Sequence, residues 1–503
     1  MKKLNIYVFV LTLFAVFSSC NKLDLEPSGS ITKKQFFSAD EDAVAAVTAI
    51  YSTLSYEPDG EQSLYGRNLY FLTDMGSDYA AAGASASNFN VRAISALTYD
   101  AKNDRVALVW KQLYRGINRA NIAIDNIPRI TSGSPELKPR LINEAKFLRA
   151  LLYFNAVQLW GAVPLVLHEA ESLDNSVLRT ERTETEKVYA QIIADLTDAE
   201  ALPPNYTGSD VGRATGGAAK ALLAKVYLVR KEWKKASDKA EEIIANKAAY
   251  GYDLEENFGD LFNKPEKKNG KEHIFSVQFE NGQSGATGTT GNLLQVVSYF
   301  GPTTAVEPAD IISDDRFYNV YDPADLRRSV TYIKQFPLPT GVITFPRALF
   351  IKYVTNLLVP YTSRAADAIN FPVIRYADVL LVKAEALNEQ AGDAGPGAEA
   401  YDALNQVRRR AYGLLADPSL PIPSPELSGL NRTLFREAIQ NERLKEFVQE
   451  GQRWFDLVRW GILVEAVSVV PEKATVSERN YLYPVPQDQR DLNPDGLWQN
   501  DGY

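Results

Sequence analysis

Residues 216–245 read GGAAKALLAKVYLVRKEWKKASDKAEEIIA. Ala218, Ala221, Leu222 and Val226 recur at three and four, the period of one helix face, and Trp233, Ala236, Ala240 and Ile243 repeat that period on a second helix. Small residues at these spacings let two helix axes approach closely, so the stretch predicts an antiparallel helical hairpin. Working outward, Val188, Ile192, Leu196 and Ala199 add a further helix, and residues 183–247 form a compact helical array. A second hairpin is expected over 377–410, where Leu381, Ala384 and Leu387 precede Ala400, Leu404 and Val407 across a link containing Gly and Pro at 392–397. Nearer the N-terminus, Val106, Val109, Trp110, Leu113, Ile117, Ala120 and Ile124 share one helix face. Ala145, Leu148, Leu152, Ala156 and Leu159 share another, which Gly161 and Pro164 terminate.

The hairpins resemble tetratricopeptide repeats of about 34 residues. Generic antiparallel packing would leave the class the same, mainly α. Two regions break the pattern. Residues 57–103 are rich in Gly, Ala, Ser, Asn and Tyr and too long for a simple connector, which makes them a candidate functional loop. Between 248 and 371 the helical period disappears. Aromatics accumulate there, including Tyr299, Phe300, Phe317, Tyr318, Tyr321 and Tyr353, and short strands are expected over 273–279 and 349–357. The organisation is therefore a helical scaffold over about 31–247 and 372–461, a loop-rich lobe over about 248–371, and a segment at 480–503 in which Pro484, Pro486 and Pro494 forbid a continuous helix and predict extended chain. Length alone suggests about three domains at ~150 residues each. The patterning favours one continuous scaffold with an inserted lobe.

Of 503 residues, 45% are hydrophobic and 23% charged, with 63 acids against 54 bases. This acidic balance and a pI near 5.2 argue against nucleic-acid binding, which needs a basic face. One cysteine and two histidines, Cys20, His168 and His273, exclude an internal disulfide and a Cys- or His-rich metal site by count. The N-terminus gives the cysteine a meaning. Lys2 and Lys3 precede an apolar run of about 14 residues, shorter than the ~20 of a membrane span, and Ser18-Ser19-Cys20 follows. Residues 1–19 read as a signal peptide. Cys20 reads as a lipidated first residue, with 20–30 as its tether; Phe17 stands where leucine is commoner in a bacterial lipobox. Cleavage removes two lysines and no acid, which deepens the formal charge from −9 to −11.

Catalytic motifs are sparse. Residues 282–285, Gly-Gln-Ser-Gly, lack the glycine spacing of a hydrolase nucleophile. Gly285, Gly288 and Gly291 lack the Lys-Ser/Thr of a phosphate loop. The two histidines stand alone and read as structural, and Asp314-Asp315 reads as a solvated turn more readily than a calcium ligand. Paired carboxylates of the glycosidase kind could come from Glu437, Glu442, Glu446, Glu450 and Asp456. Those acids, however, alternate with bases on an expected helix over 436–460, where Arg443/Glu446, Glu450/Arg453 and Asp456/Arg459 fall at i,i+3, so an ion-pair network between helices is the better account. Binding chemistry remains. Twenty-six tyrosines could stack on sugar rings and bond hydroxyls, although most should cap helices or fill the core. Loop aromatics escape that fate most readily.

Seven blocks in order resemble the SusD/RagB family of Bacteroidetes outer-membrane glycan-binding lipoproteins. They are Phe36-Phe37 with Asp40-Glu41-Asp42; 110–128, WKQLYRGINRANIAIDNIP; 144–166, EAKFLRALLYFNAVQLWGAVPLV; and Gly212-Arg213-Ala214-Thr215 with its helix. The rest are 375–389, RYADVLLVKAEALNE; 441–461, NERLKEFVQEGQRWFDLVRWG; and 481–503, YLYPVPQDQRDLNPDGLWQNDGY. The resemblance implies a SusD-like domain over 31–503 with tetratricopeptide-like hairpins and an irregular ligand-binding lobe. It also implies an oligosaccharide or polysaccharide ligand, a SusC-like TonB-dependent transporter as partner, lipid anchoring at the cell surface, no cofactor and no catalysis. The blocks are scaffold and do not locate the ligand. Loop position and side-chain chemistry nominate Tyr79, Asn88, Phe89, Arg92, Tyr299 and Phe300. A peptide-binding repeat scaffold and a glycoside hydrolase are the competing readings.

Overall fold

The computed structural model describes residues 36–57, 62–172, 174, 178–280, 310–338, 341–354, 369–421 and 424–503. Cys20, Tyr299 and Phe300, the signal peptide, the tether and the glycines of 285–291 lie outside them. The longer helices are α1 (Asp40–Ser55), α2 (Phe89–Ser95), α3 (Asp104–Asn126), α4 (Leu137–Trp160), α5 (Thr185–Ala199), α6 (Gly216–Val229), α7 (Trp233–Ala245), α8 (Tyr376–Gln390), α9 (Ala398–Ala411), α10 (Arg432–Glu446) and α11 (Arg453–Trp460). The scaffold helices pack mainly on their chain neighbours, α3 on α4, α4 on α5, α5 on α6, α6 on α7, and α8 on both α7 and α9, while α1 packs on α3 and α4 and α10 on α8. That nearest-neighbour order is the mainly α, tetratricopeptide-like scaffold the apolar periods predict.

Local chemistry sets the helix ends. Asn103, Thr215 and Asn431 accept from the first-turn N–H groups of α3, α6 and α10, and Gly161 and Gly461 end α4 and α11 at φ +71° and +72°. Gly116 marks a close crossing, since a Cβ there would meet Leu152 Cδ1 of α4 at 2.5 Å and Thr53 Oγ1 of α1 at 2.9 Å.

The strands are short: β1 (Ala80–Ala82), β2 (Val163–Pro164), β3 (Arg182–Thr183), β4 (His273–Val277), β5 (Asp310–Ile312), β6 (Tyr332–Leu338), β7 (Gly341–Phe350) and β8 (Phe371–Arg375). They pair antiparallel as β1–β5, β2–β3, β4–β8 and β6–β7. The expected strand at 273–279 forms as β4. The one expected at 349–357 instead begins at Gly341 and ends at Phe350, because the chain turns in to bury Lys352 and Tyr353.

Three expectations need correction. The stretch 57–103 is no loop: two π-helical turns, Leu64–Asn68 and Phe71–Met75, precede β1 and α2. Their i→i+5 bonds, Leu69 N–H to Leu64 O and Gly76 N–H to Phe71 O, space the buried Leu64, Leu69, Leu72 and Met75 off the 3.6 period, which hid them. The single helix at 436–460 is two, broken where Gln449 and Gly451 take φ +61° and +70°. The break redirects the ion pairs. Asp456/Arg459 forms as expected, but Arg443 bonds Asp378 and Asp456, Glu450 bonds Lys352 and Arg375, and Arg453 bonds Asp78. A network between elements exists, with different partners. The C-terminal segment, finally, is not wholly extended, since Gln487–Leu492 is a short helix begun after Pro486. Arg182 fastens this segment, donating to Trp498 O at 2.6 Å and Asn500 Oδ1 at 2.7 Å.

Candidate functional site

The β1–β5 pairing sets Ala80 opposite Ile312 and Ala82 opposite Asp310. It brings the Gly- and Ser-containing turn at 83–88, which follows β1, beside the point where the chain returns from 281–309. β1, from the 57–103 stretch, and β5, from the 248–371 stretch, thus meet at one edge. Behind them Ala81 and Ile311 pack on Phe336, Phe345 and Leu349 of the β6–β7 hairpin, so the turn rests on a firm apolar base.

The turn is held from within. Arg92 Nε donates to Ala86 O at 2.6 Å and its Nη2 to Ala84 O at 3.0 Å, while Asn88 Oδ1 accepts from Val91 N at 3.0 Å and so caps α2. Ala82 N donates to Ser95 Oγ at 2.8 Å. Beneath, Arg67 pairs with buried Asp310 and lies over the rings of Tyr70 and Phe71 at 4.9 and 4.8 Å. Burial pushes the Asp310 carboxyl above the usual carboxylate range even against the pull of Arg67.

On this frame Phe89 stands 78% exposed, the most exposed of the large hydrophobic side chains among the described residues. A ring left in water on the first turn of a capped helix, beside a braced turn, is free to stack on a flat apolar surface. Asn88 and Arg92 position it, their Oδ1, Nε and Nη2 being occupied by the turn itself.

Tyr79 does not belong to the face. It is 0% exposed; its Oη donates to Asp74 Oδ1 at 2.5 Å and accepts from Gln449 N at 2.8 Å, and burial raises its pKa well above the usual phenol value. It lies in the bend just before β1, where the chain is buried on both sides, a placement that residue type cannot reveal. Asp74, its partner, is pushed up by burial to about 7. Sequence reasoning missed Arg67, Asp310 and Ser95, whose roles depend on the β1–β5 pairing and have no local signal.

Of the five carboxylates considered for hydrolysis, Glu437 is exposed on α10 and the other four are engaged elsewhere. Glu442, Glu446, Glu450 and Asp456 are buried in ion pairs with Arg327, Arg375 and Arg443 or their neighbours. His168 is exposed, 3.0 Å from Asp125, and His273 is buried in β4. Asp314 bonds the Arg316 N–H at 2.7 Å, as a turn aspartate does. Among the described residues, no three His, Cys, Asp or Glu side chains converge as metal ligands, and no helix is long and apolar enough to cross a membrane.

Fold and face together define a helical-hairpin scaffold protein that carries an exposed aromatic on a braced surface turn. Known proteins share this architecture. A family model described as the SusD family matches residues 349–503, and one described as starch-binding, associating with outer membrane, matches residues 37–228. A SusD-like protein of Formosa agariphila is 29% identical, with 98% of each chain covered. A SusD homologue from Bacteroides thetaiotaomicron superposes with a TM-score of 0.79 at 26% identity, over 94% of this chain and 98% of that one. A laminarin binding SusD-like protein gives 0.74 at 27% identity, over 93% and 100%. The chain is thus similar to SusD-like proteins over nearly its whole length.

Proposed function

We propose that this protein is a cell-surface glycan-binding lipoprotein that captures oligosaccharides at the Phe89 face and passes them to a SusC-like TonB-dependent transporter, without catalysis. Residues 1–19 would direct export, and Cys20, acylated, would hold the chain to the outer membrane through the tether at 20–30. The observation that carries the reading is the exposed Phe89 ring on a turn braced by Arg92, set where residues 281–309 rejoin the fold. Tyr299 and Phe300, within that stretch, would complete the aromatic surface. The family relationship, with a laminarin binding neighbour, supports a glycan as the ligand. Engagement of the carboxylates at 442–456 in ion pairs favours binding over hydrolysis.

Isothermal titration against laminarin, starch-type glucans and xylan tests the reading. Removing a ring that a sugar would half cover costs ~1–1.5 kcal/mol, so Phe89→Ala should weaken the bound glycan about tenfold. Tyr299→Ala with Phe300→Ala should weaken it further. Tyr79→Phe is the control, expected to lower stability by ~1–3 kcal/mol through the unmet Gln449 N–H and leave affinity unchanged. Unaltered affinity in all three aromatic substitutions would remove the face; peptide binding with no glycan binding would favour a protein scaffold.

A further inference from the structure

The block Gly212-Arg213-Ala214-Thr215, singled out in the sequence, borders a groove of about 220 Å³ that shares no element with the Phe89 face. One wall is the turn carrying Tyr206 and Val211, another the pair Tyr250 and Tyr252, and the floor is β4, with His273 and Ser276. The groove is smaller than the pockets that take drug-sized ligands and suits a ligand of about one ring.

Its aromatics are built in place. Tyr250 and Tyr252 stack at 5.4 Å and 17°, and Tyr252 Oη bonds Thr215 Oγ1, the cap of α6, at 2.8 Å. Gly217 leaves room for them: a Cβ there would lie 2.6 Å from the Tyr252 ring and 3.0 Å from that of Tyr250. Tyr252 is buried and Tyr250 half-buried, and both rings line the groove.

Its polar groups are unfinished. Tyr206 Oη and His273 Nε2 are both buried and find no hydrogen-bond partner among the described residues, although His273 Nδ1 bonds Ser276 Oγ at 2.8 Å. A buried polar group left unmet costs ~1–3 kcal/mol, and two bordering one groove is the pattern of a site that a ligand completes. The charges nearby are mostly spent. Arg213 is paired with Glu144 at 3.0 Å and Asp210 at 2.9 Å, and burial lowers His273 to about 3, so the imidazole is neutral. A flat ring, a phenol, a neutral imidazole and the exposed amide of Asn205 suit a ligand with hydroxyls and an apolar face.

We propose that this groove is a second carbohydrate site, taking a neutral monosaccharide or the end unit of a glycan, separate from the Phe89 face and independent of whether that face binds.

Saturation-transfer NMR on the purified chain with glucose, galactose, xylose, N-acetylglucosamine and glucuronate tests it. At least one neutral sugar should show transfer, and Tyr206→Phe and Tyr250→Ala should each raise its Kd at least fivefold, while Phe89→Ala leaves it unchanged. Should Tyr250→Ala fail to fold, Val211→Trp fills the groove from its exposed rim and should abolish the same signal. The proposal falls if no sugar shows transfer, if binding survives both Tyr206→Phe and Val211→Trp, if Phe89→Ala alone removes it, or if glucuronate binds more tightly than every neutral sugar.

Discussion

Glu446, at the end of α10, is the point at which scaffold and lobe are tied together. Its Oε2 accepts from Arg327 Nη1 at 2.9 Å, its Oε1 from Arg375 Nη1 at 2.9 Å, and Arg410 closes the set. Asp325, Glu272, Glu442, Glu446 and Glu450 face Arg327, Arg375, Arg408, Arg410 and Lys352, five carboxylates against five cations in a nearly dry cluster. Glu446→Gln keeps the shape and removes one charge, leaving a buried excess of one cation. Losing one partner of a buried ion pair costs ~3–5 kcal/mol, against a total stability of only ~5–15 kcal/mol. Urea unfolding at pH 7 should therefore show a large fall in midpoint with little change in slope. Adding Arg410→Met restores the charge balance, so the double variant should lose clearly less than the sum of the singles. The pH dependence follows from the same geometry. Burial alone would raise the Glu446 pKa, but Arg410, Arg375 and Arg327 overcome it and hold the carboxyl well below the usual range. A depressed carboxylate contributes stability that is full above its unfolded value, ~4.3, and is lost as pH falls. The gap between wild type and Glu446→Gln should accordingly narrow below about pH 4. A loss under about 1 kcal/mol at pH 7, or strict additivity in the cycle, would refute the view that this cluster ties the fold.

Two further outcomes follow from buried or anchored groups. Lys473, whose Nζ donates to Met75 O at 2.6 Å and also to Ser77 O, is lowered by burial to about 7, and Lys352 to about 8. Unfolded lysines hold their proton to ~10.4, so between pH 7 and 9.5 the unfolded chain binds more protons and stability rises with pH. Lys473→Met should flatten that rise in urea midpoints, and a wild type with no rise would contradict the burial. Cys20→Ala should move the protein from the membrane to the soluble fraction after cell fractionation; a variant that stays with the membrane ends the proposed anchor.

Much of the scaffold was legible because helix packing here is local. The apolar period of 216–245 and its counterpart at 377–410 each specify a hairpin whose two faces meet across a short link, and the structure delivers α6–α7 and α8–α9 at those positions. Legibility failed where backbone geometry left the 3.6 period, as in the π-helical turns at 64–75, and where a left-handed residue cut a helix, as at Gln449. Gln449 carries no glycine signal; its conformation is held by Tyr79 and the surrounding core.

By itself, the sequence determined the helical class and the family blocks, since each is written in residue type and spacing over a few turns. Which aromatics face water was decided only in three dimensions. Tyr79 and Phe89 lie ten residues apart in one polar stretch, yet bonds to Asp74 and Gln449 hold the first in the core while the capped start of α2 leaves the second exposed. The partners of Glu446, the pairing that joins 80–82 to 310–312, and the groove beside Tyr250 all depend on contacts between distant parts of the chain. Their free energy comes from burial and pairing achieved only after the helices have packed, and no local pattern can encode that.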